Sequence, residues 1–129
     1  MESNTTMLWT GRVLTGLAVA FLLFDGAIKF TRHPAVAEAT AQLGWPIAVM
    51  PTIGVVLLTC VALYVFPPTA VLGAILLTGY LGGAIATHVR VGNALFSHTL
   101  FPTYVAAIIW GGLWFRDPRL RALVPLRRN

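Results

Sequence analysis

Asp25 and Lys29 stand four residues apart, just after an almost pure hydrocarbon run from Val13 to Phe24. An acid one helical turn before a base is the favourable order for an ion pair. An unpaired charge at that depth in an apolar medium is costly, so the two are expected to meet. A second polar stretch, "ATHVRVG" at 86–92, carries His88 and Arg90, with Tyr80 before it and Tyr104 after it. Asp25, Lys29, Tyr80, His88, Arg90 and Tyr104 form the candidate ligand-binding set. Basic and hydroxyl groups of this kind would accept an anion or a carbonyl oxygen. A quinone suits them, with an apolar ring and tail and two oxygens that need donors. Pockets for such ligands are mostly apolar with a few placed polar groups. Asp25 would orient Lys29 and Arg90. His88, whose reference pKa lies near neutrality, would donate to an oxygen or pass a proton.

Each of these residues also has a plainer use. Lys29 can snorkel to the headgroups with Asp25 holding it there. Tyr80 and Tyr104 can serve as packing or interfacial residues. His33, His88 and His98 invite a metal, since imidazole suits copper, zinc or iron. No pair of them has the i, i+4 spacing of a helical metal site. Lys29, Arg32 and Arg90 would repel a cation, so no metal site is expected. Cys60 is the lone cysteine. It excludes an internal disulfide and fits an inert buried thiol.

These residues must be positioned by helices. Of 129 residues, 57% are hydrophobic and only 10% charged, against about 25% charged in soluble domains. The mean hydropathy is +0.80. Too few charges remain to cover a soluble surface, so the chain is expected to be an integral membrane protein. Four apolar segments are expected to span the bilayer, at about 8–30, 46–66, 69–89 and 100–115. "FPP" at 66–68 ends the second, and "RDPR" ends the fourth. "HPAVAEATAQLG", with Pro34 at its start and Gly44 at its end, predicts a short helix on the membrane surface. The expected fold is a single all-α domain, a four-helix membrane bundle with an interfacial helix between the first two spans and a short basic tail over 116–129. The start, "MESNTTMLWT", has no basic residue, so the first span is expected to be retained rather than cleaved.

With four spans, both termini share a side. That side holds six arginines, Arg12, Arg116, Arg119, Arg121, Arg127 and Arg128, against Lys29, Arg32 and Arg90 on the other. The positive-inside rule then makes the termini cytoplasmic and places the polar set at the outer end of the bundle. Steps of three and four link Gly11, Thr15, Ala18, Leu22, Asp25, Lys29 and Arg32. They also link Gly73, Leu76, Tyr80, Gly83, Thr87 and Arg90, and Tyr104, Ala107, Gly111 and Trp114. Such steps share a helix face, and these faces are expected to meet inside the bundle. His88 and Arg90 lie about 200° apart on a helix. Arg90, which continues its seam, is therefore the expected partner of Asp25 if the first and third spans are neighbours.

"GLAVAFLLFDGAIKF" in the first span, "GYLGGAIATHVRVGN" in the third and the basic tail resemble the DoxX-like family of small bacterial membrane proteins. The resemblance covers nearly the whole chain. Its most specific pieces are Gly26 to Lys29 and His88 to Arg90. It implies a four-helix bundle in the bacterial inner membrane, in a family named for a subunit of a thiosulfate:quinone oxidoreductase and linked to membrane redox complexes. The expected function is that of a quinone-interacting or accessory subunit of a membrane redox system. The partners would be the bilayer, a membrane or redox protein, or a second copy. The alternatives are a small-solute or anion carrier and a structural membrane partner. The short basic tail beside a membrane points to anionic lipid rather than nucleic acid.

Overall fold

The computed structural model describes residues 2–30 and 34–127. Arg32, His33 and Arg128 lie outside them, as does the His98 side chain. Among the described residues the regular structure is entirely helical. The helices are α1 (Glu2–Ile28), α2 (Pro34–Gln42), α3 (Met50–Val65), α4 (Ala70–Val91), α5 (Phe101–Arg116) and α6 (Pro118–Arg121). Short 3₁₀ turns, Ile47–Val49 and Pro67–Thr69, lead into α3 and α4, and a π-helical turn, Leu95–Thr99, stands before α5. α2 falls between the first two expected spans, and a helix occupies each of the four apolar segments.

Three helical stretches, Thr5–Ile28, Ile47–Val65 and Pro67–Val91, are long and apolar enough to cross a membrane. At 16 residues, α5 extends about 24 Å, less than the hydrocarbon thickness of about 30 Å. Large apolar side chains point away from the protein all along the bundle; Leu17 is 60% exposed and Phe24 68%. Water would not tolerate such a surface, whereas lipid is its natural solvent.

α1 packs on α3 and α5, and α4 packs on the same two helices. The order around the bundle is therefore α1, α3, α4, α5, and α1 faces α4 across it. The condition that would place Arg90 beside Asp25 is not met. Ala18, Leu22, Leu57, Tyr64, Leu77 and Ile109 form the buried centre.

The α1 seam has the expected register. Gly11, Ala18 and Leu22 are buried, and Thr15, Asp25 and Lys29 are half-buried. The seams of α4 and α5 are displaced. α4 buries Ala70, Gly73, Ala74, Leu77 and Leu81, while Leu76, Gly83 and Arg90 are exposed. α5 buries Pro102, Val105, Ile109, Gly112 and Leu113, while Tyr104 and Ala107 are exposed. In lipid both faces of a helix are apolar, so hydrophobicity does not separate inward from outward positions.

Backbones approach closely where glycine permits it. A Cβ on Gly112 would stand 2.5 Å from Thr15 Oγ1 and 2.9 Å from Thr15 N. One on Gly73 would overlap the backbone of Leu63 and Tyr64. The fully buried Tyr64 hydroxyl donates to Ile109 O at 2.7 Å and lies 3.3 Å from Thr15 Oγ1. It ties α1, α3 and α5 together. Tyr64→Phe is expected to lower stability by only about 0.6 kcal/mol, the mean for a hydrogen bond between membrane helices. Thermal denaturation in detergent measures this, and a loss several times larger would mean that the hydroxyl organises more than one contact.

Candidate functional site at one end of the bundle

The last turn of α1 carries Asp25, and Lys29 follows one residue past its end; both side chains are half-buried. Lys29 Nζ donates to Asp25 Oδ2 at 2.8 Å, and the Lys29 and Asp25 side chains are 15% and 36% exposed. The base is the deeper partner, so Lys29 does not reach freely into water, as snorkelling alone would have it. Tyr80 is half-buried on α4 and packs against the hydrophobic core. Cys60 is a buried free thiol on α3.

His88 continues the observed α4 seam by steps of four and three from Ala70, through Ala74, Leu77, Leu81 and Ala84. It is half-buried. The helix ends just beyond it at Gly92, which adopts the left-handed conformation with φ 74°. Gly92 N donates to Val89 O and Asn93 N to His88 O, each at 3.1 Å. This is a Schellman end, which ordinarily pairs apolar side chains at the third residue from the cap and the second beyond it. Those two positions are His88 and Asn93, and their side chains hydrogen-bond instead, Asn93 Nδ2 to His88 Nδ1 at 2.7 Å. An amide nitrogen can only donate. Thr99 Oγ1 in turn donates to Asn93 O at 3.1 Å.

Arg90 points elsewhere. It donates to Leu43 O at 2.7 Å, across 47 residues of sequence, and its guanidinium lies over the Trp45 ring at 5.6 Å. Between those two residues Gly44 has φ +79°, and a Cβ there would come within 3.1 Å of Arg90 Nη2. Gly44 N donates to Ala41 O and Trp45 N to Thr40 O, so α2 closes with the same kind of Schellman end as α4. Arg90 thus clasps the end of α2 to the end of α4, where a cation also complements the helix dipole. Asp25 keeps Lys29 as its only ion-pair partner among the described residues. Tyr104, 44% exposed, donates to Phe96 O at 3.0 Å and braces the π-helical turn.

The six candidate residues therefore divide. Asp25 and Lys29 pair with each other, Tyr80 packs half-buried against the core, and His88 ends the inward seam of α4. Arg90 and Tyr104 are committed to backbone carbonyls. Asn93 and Trp45 were missed from sequence, although Gly-Asn after a helical run is a recognised end signal. Among the described residues no group of three or more His, Cys, Asp or Glu could hold a metal ion. Two open grooves of about 490 and 440 Å³ lie near the termini, lined around Trp9 and around Trp114, away from these six residues.

Apolar helices with lipid-compatible outer faces, enclosing an ion pair and a phenol, define a membrane helical-bundle protein. The model of the DoxX-like family matches residues 13–112, and the chain belongs to that family. The matched segment contains the Asp25–Lys29 pair, the His88 cap and the Arg90 clasp. No curated protein and no solved structure matches the chain.

Proposed function

We propose that the protein is a four-span subunit of the bacterial inner membrane, with both termini cytoplasmic, that presents a quinone to a membrane redox system. The observation that carries this reading is the half-buried Asp25–Lys29 pair at the end of an otherwise apolar helix. Membrane interiors hold ionisable groups at a cost, and such groups commonly mark a ligand path. Lys29 would donate to one quinone oxygen, with Tyr80 as a further donor. His88 would donate to an oxygen or relay a proton. Arg90, through Leu43 and Trp45, would hold α2 over this end, and Tyr104 would hold the turn before α5. Six arginines against three basic residues support the orientation.

A non-catalytic membrane partner is the alternative, and the commitment of Arg90 and Tyr104 to backbone carbonyls favours it. Quinone extraction separates the two. The protein is purified in mild detergent, and its ubiquinone and menaquinone content is measured beside the His88→Ala variant. The expected result is quinone at a fixed ratio to protein that falls several-fold in the variant while the elution profile is unchanged. Equal quinone in both proteins, or none in either after titration with a short-tailed ubiquinone, would sink the redox reading and leave the membrane partner.

A further inference from the structure

The end of the bundle that carries the termini has more cationic donors than acceptors. Its described cations include Arg12, Arg116, Arg119 and Arg121. The only carboxylate there with a described side chain is Asp117, which caps α6 and pairs with Arg119 at 3.4 Å. Arg121 donates through Nη1 to Trp114 O and Phe115 O, both at 2.9 Å, and its guanidinium lies over the Trp114 ring at 5.9 Å. That fixes the guanidinium in place with only Nη1 bonded to the described residues. Arg116, packed against Gly11, has Nε and Nη2 buried with no acceptor among the described residues. A guanidinium stays charged at any accessible pH, so this positive field is permanent.

Beside these groups the first turns of α1 and the α5–α6 corner enclose an open groove of about 440 Å³, lined by Met7, Trp114, Pro118, Arg121 and Ala122. One charged fork thus stands against an otherwise apolar wall. Trp114 Nε1 donates to Val124 O at 2.8 Å and folds the tail back beside it. Leu123 and Leu126 on that tail are 59% and 76% exposed. Apolar side chains interleaved with arginine next to a bilayer suit the headgroup boundary.

We infer that this groove is a binding site for an anionic phospholipid. The phosphate meets the Arg121 fork, and the upper acyl chain lies along Met7, Pro118 and Ala122. A zwitterionic headgroup carries its own cation and gains less from this field. Arg116 adds to the attraction through its charge rather than through contact, because its unpaired edge is closed over. The inference stands apart from the quinone reading, since it concerns the opposite end of the bundle.

Native mass spectrometry of the full chain, in micelles holding equal phosphatidylglycerol and phosphatidylcholine, tests it. Retained phosphatidylglycerol is expected to exceed phosphatidylcholine by about fivefold, the weight of one basic residue near a membrane surface. Arg121→Gln should remove that preference. Because Arg121 also caps α5, Ala122→Trp is run beside it to fill the groove without altering charge, and it should lower retention of the anionic lipid as well. Arg119→Gln, on a side chain 91% exposed and outside the groove, should leave the preference intact. Equal retention of the two lipids in the wild type, or an unchanged preference in Ala122→Trp, would overturn the site. Displacement of the lipid by millimolar inorganic phosphate would replace it with a free-oxoanion site.

Discussion

Gly73→Ala is expected to lower the stability of the bundle by at least about 1–3 kcal/mol, the usual cost of overpacking, and Gly73→Leu to abolish the folded state. The added Cβ would overlap Tyr64 N, lie 2.5 Å from Tyr64 Cα and 2.7 Å from the Leu63 carbonyl carbon. These are backbone atoms, so no side chain can rotate aside. The α3–α4 hairpin would have to separate, and Tyr64 would then lose its hold on Ile109 O. Gly83, ten residues later on the same helix, is the internal control. It has nothing within 4 Å of an added Cβ, and alanine there removes the helix penalty of glycine, about 1 kcal/mol. Gly83→Ala is expected to be neutral or stabilising. Thermal loss of the monodisperse peak in detergent reads both variants. Equal effects at the two positions would mean that the close approach of α3 and α4 does not govern stability.

That contrast also shows what this sequence discloses. The helices are legible because length and apolar content are local properties, and α2 is legible because proline and glycine mark its ends. The α1 seam is legible because Gly11, Thr15, Asp25 and Lys29 label one face among bulky apolar neighbours. On α4, small residues lie on both faces. Gly73 packs against Tyr64 while Gly79, Gly82 and Gly83 look into open space, and composition alone gives them equal weight. From the buried Gly73, a seam drawn through Leu76 and Gly83 ends at Arg90, whereas the buried face runs through Leu77 and Leu81 to His88. The Asp25–Lys29 pair could be read in advance because it spans one helical turn. The bond from Arg90 to Leu43 could not, because it depends on two helix ends 47 residues apart meeting in space. The π-helical turn before α5 left no periodic signal, so the use of Tyr104 as its brace was hidden as well.

The ion pair allows a structural role for this end of the bundle to be separated from a functional one. Lys29→Met leaves the Asp25 carboxylate without its partner, 2.8 Å away in the wild type. Breaking a fully buried pair costs about 3–5 kcal/mol and an exposed one about 0–1 kcal/mol; with Asp25 36% exposed, the loss is expected between these ranges. Replacing both, Asp25→Asn with Lys29→Met, removes the charges together and is expected to restore most of the stability, since a buried pair often contributes little net stabilisation over apolar substitutes. The double variant is then a folded protein without the charges. If they serve only the fold, quinone content and complex formation follow the wild type. If Lys29 holds a quinone oxygen, quinone is lost from a protein whose thermal stability has recovered, a combination that packing alone does not produce. Retained quinone in the double variant would remove Lys29 from the site. A double variant as unstable as Lys29→Met would show that the pair does more for the fold than neutralise its own charges.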